Sequence, residues 1–429
     1  MEEYFIKAQK NFLCNTSYPL NKENWLKYKV DNYDLFKNEN NLNFYIHIPF
    51  CQKLCAFCEY VKYPKRSIEL EEKYLKILEN DISRFIEKHN NIILYGLDVG
   101  GGTPTSLDNG TFSYLMEICK KIITKLKTVE DFEPSIEGTF ETIDEFKLKE
   151  IYEAGFRRIS LGIQTMNLDI LKKNNRKNLG INDILEKCKL IKNAGIQKIN
   201  IDFMYGLEGQ NLKDLDDAIE LVKNMNVEQI TLYEMRYNLI CKNKEIDRKN
   251  LYNQYEYIYN KLIELGYNAH FGQNTFSKDK QDLGLSSYLR YRMIDNISYK
   301  GFGISAQSKS KCGMSYNVGK ARKPLEECLK AGTFKEEDIY VLTKEELLAK
   351  FIAISMYYGK FKLSIMKSII EENPLEYYKE EFEFLVKNNY VEISDDEVTI
   401  TKKGFEYYSA IGALFYSKEV KKYMLGCEN

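Results

Sequence analysis

The chain has 429 residues, 44% of them hydrophobic, which is enough for one large domain and a smaller one. Its 62 basic and 63 acidic side chains give a net charge of −1, so no broad basic surface is expected for a nucleic-acid backbone. No apolar run reaches the roughly eighteen residues that a membrane span needs, and the acidic start of the N-terminus is unlike a signal peptide. We therefore expect a cytoplasmic protein without a membrane span.

The first 40 residues are predicted to form an N-terminal extension, and a core domain is predicted over 41–275. Residues 42–235 alternate between short, nearly continuous apolar runs, typical of buried parallel strands, and longer helical patterns. Thr142 and Glu145 have the spacing of a capping box that opens one of these helices. The predicted strands span 42–48, 92–99, 135–140, 157–164, 199–205 and 229–235. Six such repeats predict a parallel sheet with right-handed crossovers, either a partial or full barrel or a doubly wound sheet.

The distinctive residues of this core follow the ends of predicted strands. A cysteine-rich loop follows the first strand, glycines follow the second, and Gln164 ends the fourth. Parallel α/β architectures bind their ligands at the carboxyl ends of the strands. The sequence therefore places the functional site at that edge of the sheet.

The pattern changes after about residue 275. Residues 276–342 are predicted to be a family-specific extension, in which 299–308 is glycine-rich and strand-like. Residues 343–429 indicate helices followed by a hairpin with a polar turn at 394–397, a winged-helix-like α+β domain. Winged helices bind DNA or serve as interaction modules, and we expect no nucleic-acid partner here.

Ten cysteines occur, and three of them, Cys51, Cys55 and Cys58, crowd into eight residues as C-x3-C-x2-C. Three thiolates on one loop suit a cubane iron–sulfur cluster with its fourth iron open. A zinc site is one alternative, although it normally has four Cys or His ligands. Inert buried cysteines are the other.

Several motifs in order carry a family resemblance. They are YIHIPFCQKLCAFC (45–58), GGGTPT (100–105), SIEGTFE (135–141), RISLGIQTMN (158–167), Arg176, INIDFMYGLEGQ (199–210) and GFGISAQS (301–308). Together they resemble the oxygen-independent coproporphyrinogen III oxidase family of radical S-adenosylmethionine (SAM) proteins. That family also contains a heme chaperone and the class C radical SAM methyltransferases.

The resemblance implies an α/β fold, a partial (β/α)6 TIM-like barrel with the winged-helix-like domain at its C-terminus. It implies a [4Fe–4S] cluster on Cys51, Cys55 and Cys58, and one or possibly two SAM molecules. One electron would cleave SAM to a 5′-deoxyadenosyl radical that acts on a porphyrin or another conjugated, carboxylated substrate. An electron donor such as flavodoxin or ferredoxin is implied as well.

Matching positions imply the SAM pocket. By resemblance it contains an aromatic pair, a glycine turn with its threonine, and four polar side chains: Tyr45, Phe57, Gly101, Gly102, Thr103, Glu137, Gln164, Arg176 and Asp202. For the glycines, the expected reason is that a side chain would block the approach of the ligand to the backbone.

The chain departs from the oxidase pattern at Tyr60, where decarboxylating members carry a fourth cysteine. Its segment NTSYPL (15–20) resembles the oxidase N-terminus, whereas segments after residue 230 are more like methyltransferase and cyclopropanase-type members. Candidate catalytic residues in that part are Arg236, His270, Gln307 and Asn317. Two alternatives to the oxidase-like reaction stay open: methyl or methylene transfer with two SAM molecules, and heme binding without net chemistry.

The chain has three histidines. His47 lies in the cysteine signature and is expected to be structural. His89 is expected at a solvated helix end. His270 is the histidine that we regard as a candidate for the active site.

Overall fold

The computed structural model describes residues 1–11, 18, 23–236, 247–319 and 323–424. Six parallel strands follow one another across its main sheet in chain order. They are β1 (Asn41–Ile48), β2 (Ile93–Gly101), β3 (Ser135–Gly138), β4 (Arg158–Gln164), β5 (Lys198–Tyr205) and β6 (Gln229–Glu234). Each of the six predicted strands is therefore confirmed.

Helices connect these strands and bury apolar side chains against the sheet. The connecting helices are α2 (Ile68–Lys88), α3 (Asn109–Lys125), α4 (Glu145–Glu153), α5 (Leu168–Lys173), α6 (Ile181–Asn193) and α7 (Leu212–Met225), and α1 (Glu2–Asn11) precedes the first strand. The capping box predicted at Thr142 is wrong. Asp144 caps α4 by accepting from the Lys147 amide at 2.8 Å, and Thr142 lies in the preceding turn with its hydroxyl 2.6 Å from that of Thr105.

The sheet continues beyond both ends of the parallel set. After α8 (Arg248–Glu264), strand β7 (Thr275–Ser277) pairs antiparallel with β6. After α9 (Ser287–Met293), strand β8 (Ser298–Phe302) pairs parallel with β1. Three antiparallel strands extend the sheet from there: β9 (Gln307–Lys309), β10 (Gly313–Asn317) and β11 (Glu336–Val341). Within the described residues the path is open at both ends, so the barrel is partial.

The C-terminal part is α+β. Its helices are α10 (Leu325–Cys328), α11 (Lys344–Ser355), α12 (Leu363–Ile370), α13 (Pro374–Tyr377), α14 (Lys379–Lys387), α15 (Lys402–Phe405), α16 (Tyr408–Leu414) and α17 (Lys418–Met424). A small antiparallel sheet joins β12 (Lys360–Lys362), β13 (Val391–Ser394) and β14 (Glu397–Ile400). The predicted hairpin is confirmed between β13 and β14.

Helix α1 packs on this C-terminal part. The ring of Phe5 stacks on Tyr390 and Tyr407 and meets Phe384 edge-on. One continuous apolar core joins these rings to the barrel. The predicted domain boundaries at 40, 275 and 342 stay predictions. No helix among the described residues combines the length and the apolar character that crossing a membrane requires.

Candidate active site

The cysteine loop leaves β1 at the carboxyl edge of the parallel sheet. Its first residues, Phe50–Cys51, pair with Tyr63–Pro64, and the amide of Lys65 donates to the carbonyl of Cys51 at 2.7 Å. These bonds close the loop at its base. Cys51 is buried, whereas Cys55 and Cys58 are partly exposed, and none of the three forms a disulfide.

The other side of the loop rests on the turn after α5. The amide of Ala56 donates to the carbonyl of Asn174 at 3.1 Å, and the Asn175 side chain donates to the carbonyl of Leu54 at 3.0 Å. Both bonds fix the backbone around Cys55. The loop is therefore held from two elements, which orients its thiols before any iron binds.

Two donors face the thiols. The hydroxyl of Thr103 lies 3.6 Å from the Cys51 sulfur, and a guanidinium nitrogen of Arg176 lies 3.8 Å from the Cys55 sulfur. Hydrogen bonds to the sulfurs tune an iron–sulfur centre. Thr103 and Arg176, both predicted at the SAM pocket, are thus placed against the cluster loop.

The thiols fit a cubane better than a single ion. In the described part of the chain no three His, Cys, Asp or Glu side chains converge on a point where one metal ion would bind. A cubane has no such requirement, because each thiolate binds a different iron. Burial raises the pKa of Cys51 to about 11, so iron binding has to supply the ionisation. The three free thiols on one loop are the ligands that a cubane with an open iron requires.

The glycine turn after β2 is required by the packing of the protein itself. Gly101 has a φ of +106°, and a Cβ there would overlap the ring of His47. A Cβ on Gly102 would lie 2.7 Å from the carbonyl oxygens of Ile48 and Phe50. The expected reason, room for a ligand against the backbone, is therefore not the one that the structure shows.

The amides of this turn already have acceptors. Gly101 donates to Glu137 Oε2 at 3.1 Å, Gly102 to the carbonyl of Ile48 at 2.8 Å, and Thr103 to that of Phe50 at 2.8 Å. Main-chain contact with a cofactor at this turn is thus left to the carbonyl oxygens, which have two lone pairs each.

Three carboxyl groups face the interior of the barrel from β2, β3 and β5. Burial raises the pKa of Glu137 to about 8, assisted by the nearby negative charges of Asp202 and Asp98. Burial likewise raises the pKa of Asp98 to about 7 and that of Asp202 above its usual value, with Arg158 opposing both shifts. Glu137 remains accessible to solvent although protein surrounds it, as expected of a group that lines a cavity. Such a cluster favours a cationic ligand.

Asp202 is held by its neighbours. Its oxygens accept from Ser160 at 3.1 Å and from Asn200 at 2.8 Å, and the Asn200 amide oxygen accepts in turn from Thr231 at 3.0 Å. This chain of bonds crosses β4, β5 and β6. It fixes the carboxylate while leaving lone pairs for a ligand hydroxyl.

Gln164 ends β4 in a conformation that needs an explanation. Its φ is +70°, a β-bulge lies between Gly162 and Gln164, and its amide oxygen is buried without a hydrogen-bond partner. A strained backbone and an orphaned buried acceptor together are characteristic of a ligand site. Arg176 donates to the carbonyl of Gly162 and lies beside this bulge.

The aromatic candidates occupy different surroundings. The Tyr45 ring stacks on Tyr288 with 5.9 Å between centroids, and burial near Glu137 raises the Tyr45 pKa well above its usual value. Phe57 packs against the apolar cluster of Met204 and Leu207. Tyr45 therefore lines the cavity, and Phe57 anchors the cysteine loop to the barrel.

The four candidates from the later segments do not gather at one point. Arg236 lies at the end of β6 with its guanidinium 4.2 Å from the ring centre of Tyr357. His270 lies against Tyr358, and burial lowers its pKa to about 4. Neither contacts the carboxyl cluster through any bond that the described residues show.

Gln307 and Asn317 are already engaged by the protein. The Gln307 amide bonds to the hydroxyls of Tyr299 and Tyr316, and the Asn317 amide donates to the carbonyls of Gly301 and Gly303 at 3.2 and 2.8 Å. Asn317 fixes the turn after β8, which is a structural task. Its Oδ1 is buried without a partner.

Two histidine predictions have different outcomes. His47 is buried, and its Nε2 lies 2.9 Å from the carbonyl of Val61, as expected of a structural residue. The prediction for His89 is wrong: it is buried and bonds to Asp34 and to the carbonyl of Phe85, because helix α2 ends against the N-terminal segment rather than in solvent.

Several cavity residues were not among the predicted site residues. They are Asp98 on β2, Tyr233 on β6, and the α9 side chains Tyr288 and Arg292. Strand register alone would have found Asp98, which lies directly opposite Tyr45. The α9 residues carry no such signal, because their position depends on a helix packing against β1 and β2.

Residues 45–222 match the family model described as the radical SAM superfamily. The chain is 31% identical over 272 residues to the heme chaperone HemW of Buchnera aphidicola subsp. Acyrthosiphon pisum, covering 61% of this chain and 67% of that protein. It is 29% identical over 311 residues to the heme chaperone HemW of Bacillus subtilis, covering 70% and 79%. It is 25% identical over 393 residues to the oxygen-independent coproporphyrinogen III oxidase of Salmonella typhimurium, covering 85% and 83%.

A solved structure shares the fold. The coproporphyrinogen III oxidase of Escherichia coli, described as a radical SAM enzyme, superposes with a TM-score of 0.74 at 22% identity. The match covers 94% of this chain and 97% of that one. The whole architecture, including the C-terminal part, is thus found in a known protein.

Proposed function

Because the chain belongs to the group of radical SAM proteins that contains the heme chaperone HemW and the oxygen-independent coproporphyrinogen III oxidase, we propose that it cleaves SAM reductively and acts on a porphyrin or another conjugated, carboxylated substrate. Its cofactors are a [4Fe–4S] cluster and SAM. With both bound and one electron supplied, they yield the 5′-deoxyadenosyl radical that starts the reaction.

One observation carries this proposal. The loop with Cys51, Cys55 and Cys58 lies at the carboxyl edge of the same parallel strands whose inner face bears Glu137 and Asp202. An open-site cluster and a cation-favouring cavity are the two things that cleavage of a sulfonium cofactor needs beside each other. The orphaned Gln164 oxygen adds an unfilled acceptor at the same edge.

Each side chain has an assigned task. The three thiolates hold three irons of the cluster and leave the fourth iron open. Glu137 and Gln164 accept hydrogen bonds from the SAM ammonium and adenosyl groups, and Asp202 accepts from the ribose hydroxyls. Tyr45 covers the cofactor and excludes water from it.

Arg176 acts between the two cofactors. Its guanidinium donates to the Gly162 carbonyl and to the Cys55 sulfur, and it has further N–H groups for a carboxylate. We assign it the SAM carboxylate. It thereby links the position of SAM to the geometry of the cluster loop.

The test uses the full chain, reconstituted anaerobically with iron and sulfide and reduced in the presence of SAM. We expect 5′-deoxyadenosine to form, with its amount increasing when coproporphyrinogen III is added. A protein that takes up the cluster and yet forms no 5′-deoxyadenosine would contradict the proposed chemistry.

A second candidate is heme binding without net substrate chemistry. Two relatives carry the name heme chaperone, and Tyr60 stands where decarboxylating oxidases have a fourth cysteine. Spectroscopic titration with heme separates the two functions: tight 1:1 binding together with an absence of tetrapyrrole product supports the chaperone. Methyl transfer is distinguished in the same assays by S-adenosylhomocysteine formed beside 5′-deoxyadenosine.

A further inference from the structure

Helix α9 is locked against the inner surface of the sheet. Gly96 on β2 has no room for a Cβ, which would overlap the backbone of Tyr288. Ser286 caps the helix and donates to Asp98 Oδ2 at 2.7 Å. The helix is therefore a fixed wall of the barrel interior rather than a surface element.

This wall presents an arginine to the cavity. Tyr288 and Arg292 are four residues apart, so both lie on the same face of α9. The Tyr288 ring stacks on Tyr45, and its hydroxyl accepts from Arg292 at 3.2 Å. Arg292 is thus one side chain away from the predicted SAM pocket.

The nearest contacts of Arg292 are aromatic, and the closest acidic influence is Asp98, whose pKa Arg292 helps to lower without forming an ion pair with it. Its guanidinium lies 4.5 Å from the ring centre of Tyr299 and 5.7 Å from that of Tyr288. No carboxylate forms an ion pair with it among the described residues, and its Nε is buried without a partner. A half-buried cation normally has an acidic partner, because desolvating a lone charge is costly.

Other positive charge adds to this region. Lys309 is buried and bonds to the Asn296 side chain, and burial together with the field of Arg292 lowers its pKa to about 8, against the opposing charge of Glu39. Lys350 is buried with its ammonium 3.5 Å from Gln307. An anion beside Arg292 would relieve this repulsion.

The cysteine loop opens onto the same space. Tyr60, two residues after Cys58, is 62% exposed, and its hydroxyl lies in the fields of both Arg292 and Glu137. A molecule that reaches Arg292 therefore lies in one cavity with the cluster loop and the carboxyl group of Glu137.

We propose that Arg292, held between Tyr288 and Tyr299, binds a carboxylate of the small molecule that occupies the cavity beside SAM. This inference rests on the proposed function, since it names the group by which a conjugated, carboxylated substrate is recognised. Tyr60, whose ring is exposed, supplies a flat face for the conjugated part. A second SAM has a carboxylate too, and the experiment separates the two sources.

The experiment compares Arg292→Gln, Arg292→Lys and the wild type as reconstituted full-length holoproteins. The probes are coproporphyrin III, its tetramethyl ester, and SAM. We expect Arg292→Gln to weaken coproporphyrin III binding by about 10- to 100-fold, as for loss of a charged hydrogen bond, and to leave ester binding unchanged. Arg292→Lys should restore part of the affinity, because a lysine keeps the positive charge but lacks the planar guanidinium that donates to both carboxylate oxygens.

Arg290→Gln is the matched control. It lies on the same helix and pairs with Asp131 at the surface, so its loss should not change porphyrin binding. If Arg292→Gln instead lowers the number of SAM molecules bound per chain and leaves porphyrin affinity unchanged, the carboxylate belongs to SAM. If neither changes, the inference is overturned.

SAM cleavage measured without porphyrin keeps the outcomes distinct. The control Arg290→Gln should form 5′-deoxyadenosine at the wild-type rate under these conditions, since Arg290 pairs with Asp131 at the surface. A wild type that cleaves SAM but binds neither the porphyrin nor a second SAM overturns the inference and leaves the radical chemistry standing. A wild type that fails to cleave SAM refutes the proposed function first.

Discussion

The two sides of the barrel cavity carry opposite charges. The acidic side consists of Asp98, Glu137 and Asp202 on the parallel strands, and its neighbours are main-chain amides and hydroxyls. The basic side is formed by Arg292 on α9, which lies among tyrosines. A cavity divided in this way orients its contents: a sulfonium and ammonium group prefer one side and carboxylates the other.

The two sides also differ in how they are held. The acidic side is fixed by the backbone, through the turn at Gly101 and the bulge at Gln164. The basic side is fixed by side-chain packing on α9. A site that the backbone holds suits a cofactor whose shape is always the same. A site that side chains hold can differ between relatives that bind different substrates.

The largest expected effect lies on the cluster loop, which borders the acidic side. Cys55→Ala should abolish cluster assembly, because each of three ligands is needed for an open-site cubane. Iron and sulfide content and charge-transfer absorbance after reconstitution measure it. Cys312→Ala, a partly buried thiol outside the loop, should assemble the cluster normally, and wild-type absorbance in Cys55→Ala would disprove the ligand assignment.

The acidic side itself is tested by Glu137→Gln. The glutamine keeps an acceptor for the Gly101 amide but removes the negative charge, so SAM affinity should fall by about 10- to 100-fold. Equilibrium dialysis of the reconstituted protein with labelled SAM measures the change. Glu141→Gln, an exposed neighbour, is the control, and equal losses in both variants would show that the effect is not local to the cavity.

The backbone origin of the acidic side is tested by Gly101→Ala. An alanine would have to adopt a φ of +106°, and its Cβ would overlap the ring of His47. The substitution should therefore lower the free energy of unfolding by about 1–3 kcal/mol. Gly110→Ala, where a Cβ meets nothing within 4 Å, should be neutral or slightly stabilising. Chemical denaturation of the cluster-free protein compares them, and an unchanged Gly101→Ala would mean that the turn relaxes easily.

The smallest expected effect is the dependence of apoprotein stability on pH, which arises from the carboxyl groups of the acidic side. Glu137 and Asp98 have pKa values of about 8 and about 7 in the folded chain, above those of free carboxyl groups. The unfolded chain loses these protons at lower pH, so apoprotein stability should fall as pH rises from about 5 to 8.

Binding of cationic SAM reverses this preference. It favours the ionised carboxylates, so SAM affinity should rise with pH over the same interval, by at most about tenfold per pH unit for each proton released. Thermal melts and dialysis across the interval check both slopes. Glu137→Gln should flatten them, and slopes unchanged in that variant would assign the titration to other groups.

Much of the acidic side could be predicted from the sequence. The buried strands are continuous apolar runs, so their ends locate Glu137, Gln164 and Asp202 at one edge. The structure shows a packing reason for the glycines that the sequence could not separate from the predicted one, because a close approach between two segments of one chain, here Gly101 and His47, leaves the same pattern as an approach to a ligand. The position of each side chain was inferable, but its role was not.

The basic side could not be predicted in this way. Arg292 and Tyr288 were not predicted as site residues, and only the packing of their helix against Gly96 places them at the cavity. His89 was misjudged for the same physical reason, since the partner that buries it, Asp34, lies 55 residues earlier in the chain. Contacts between distant segments decide the burial of both Arg292 and His89, and the sequence pattern around each residue does not reveal such contacts.

The packing of α1 on the C-terminal part affects the order in which the chain folds during synthesis. The Tyr4 hydroxyl donates to the carbonyl of Ala413 at 2.9 Å, across a separation of 409 residues. At about 5–20 residues per second, a ribosome needs roughly 20–80 s to deliver that partner. Until then the ring of Phe5 has no finished surface to cover it, because its partners Phe384, Tyr390 and Tyr407 are also made late. Docking of α1 on the C-terminal part is therefore a late step in the folding of this chain.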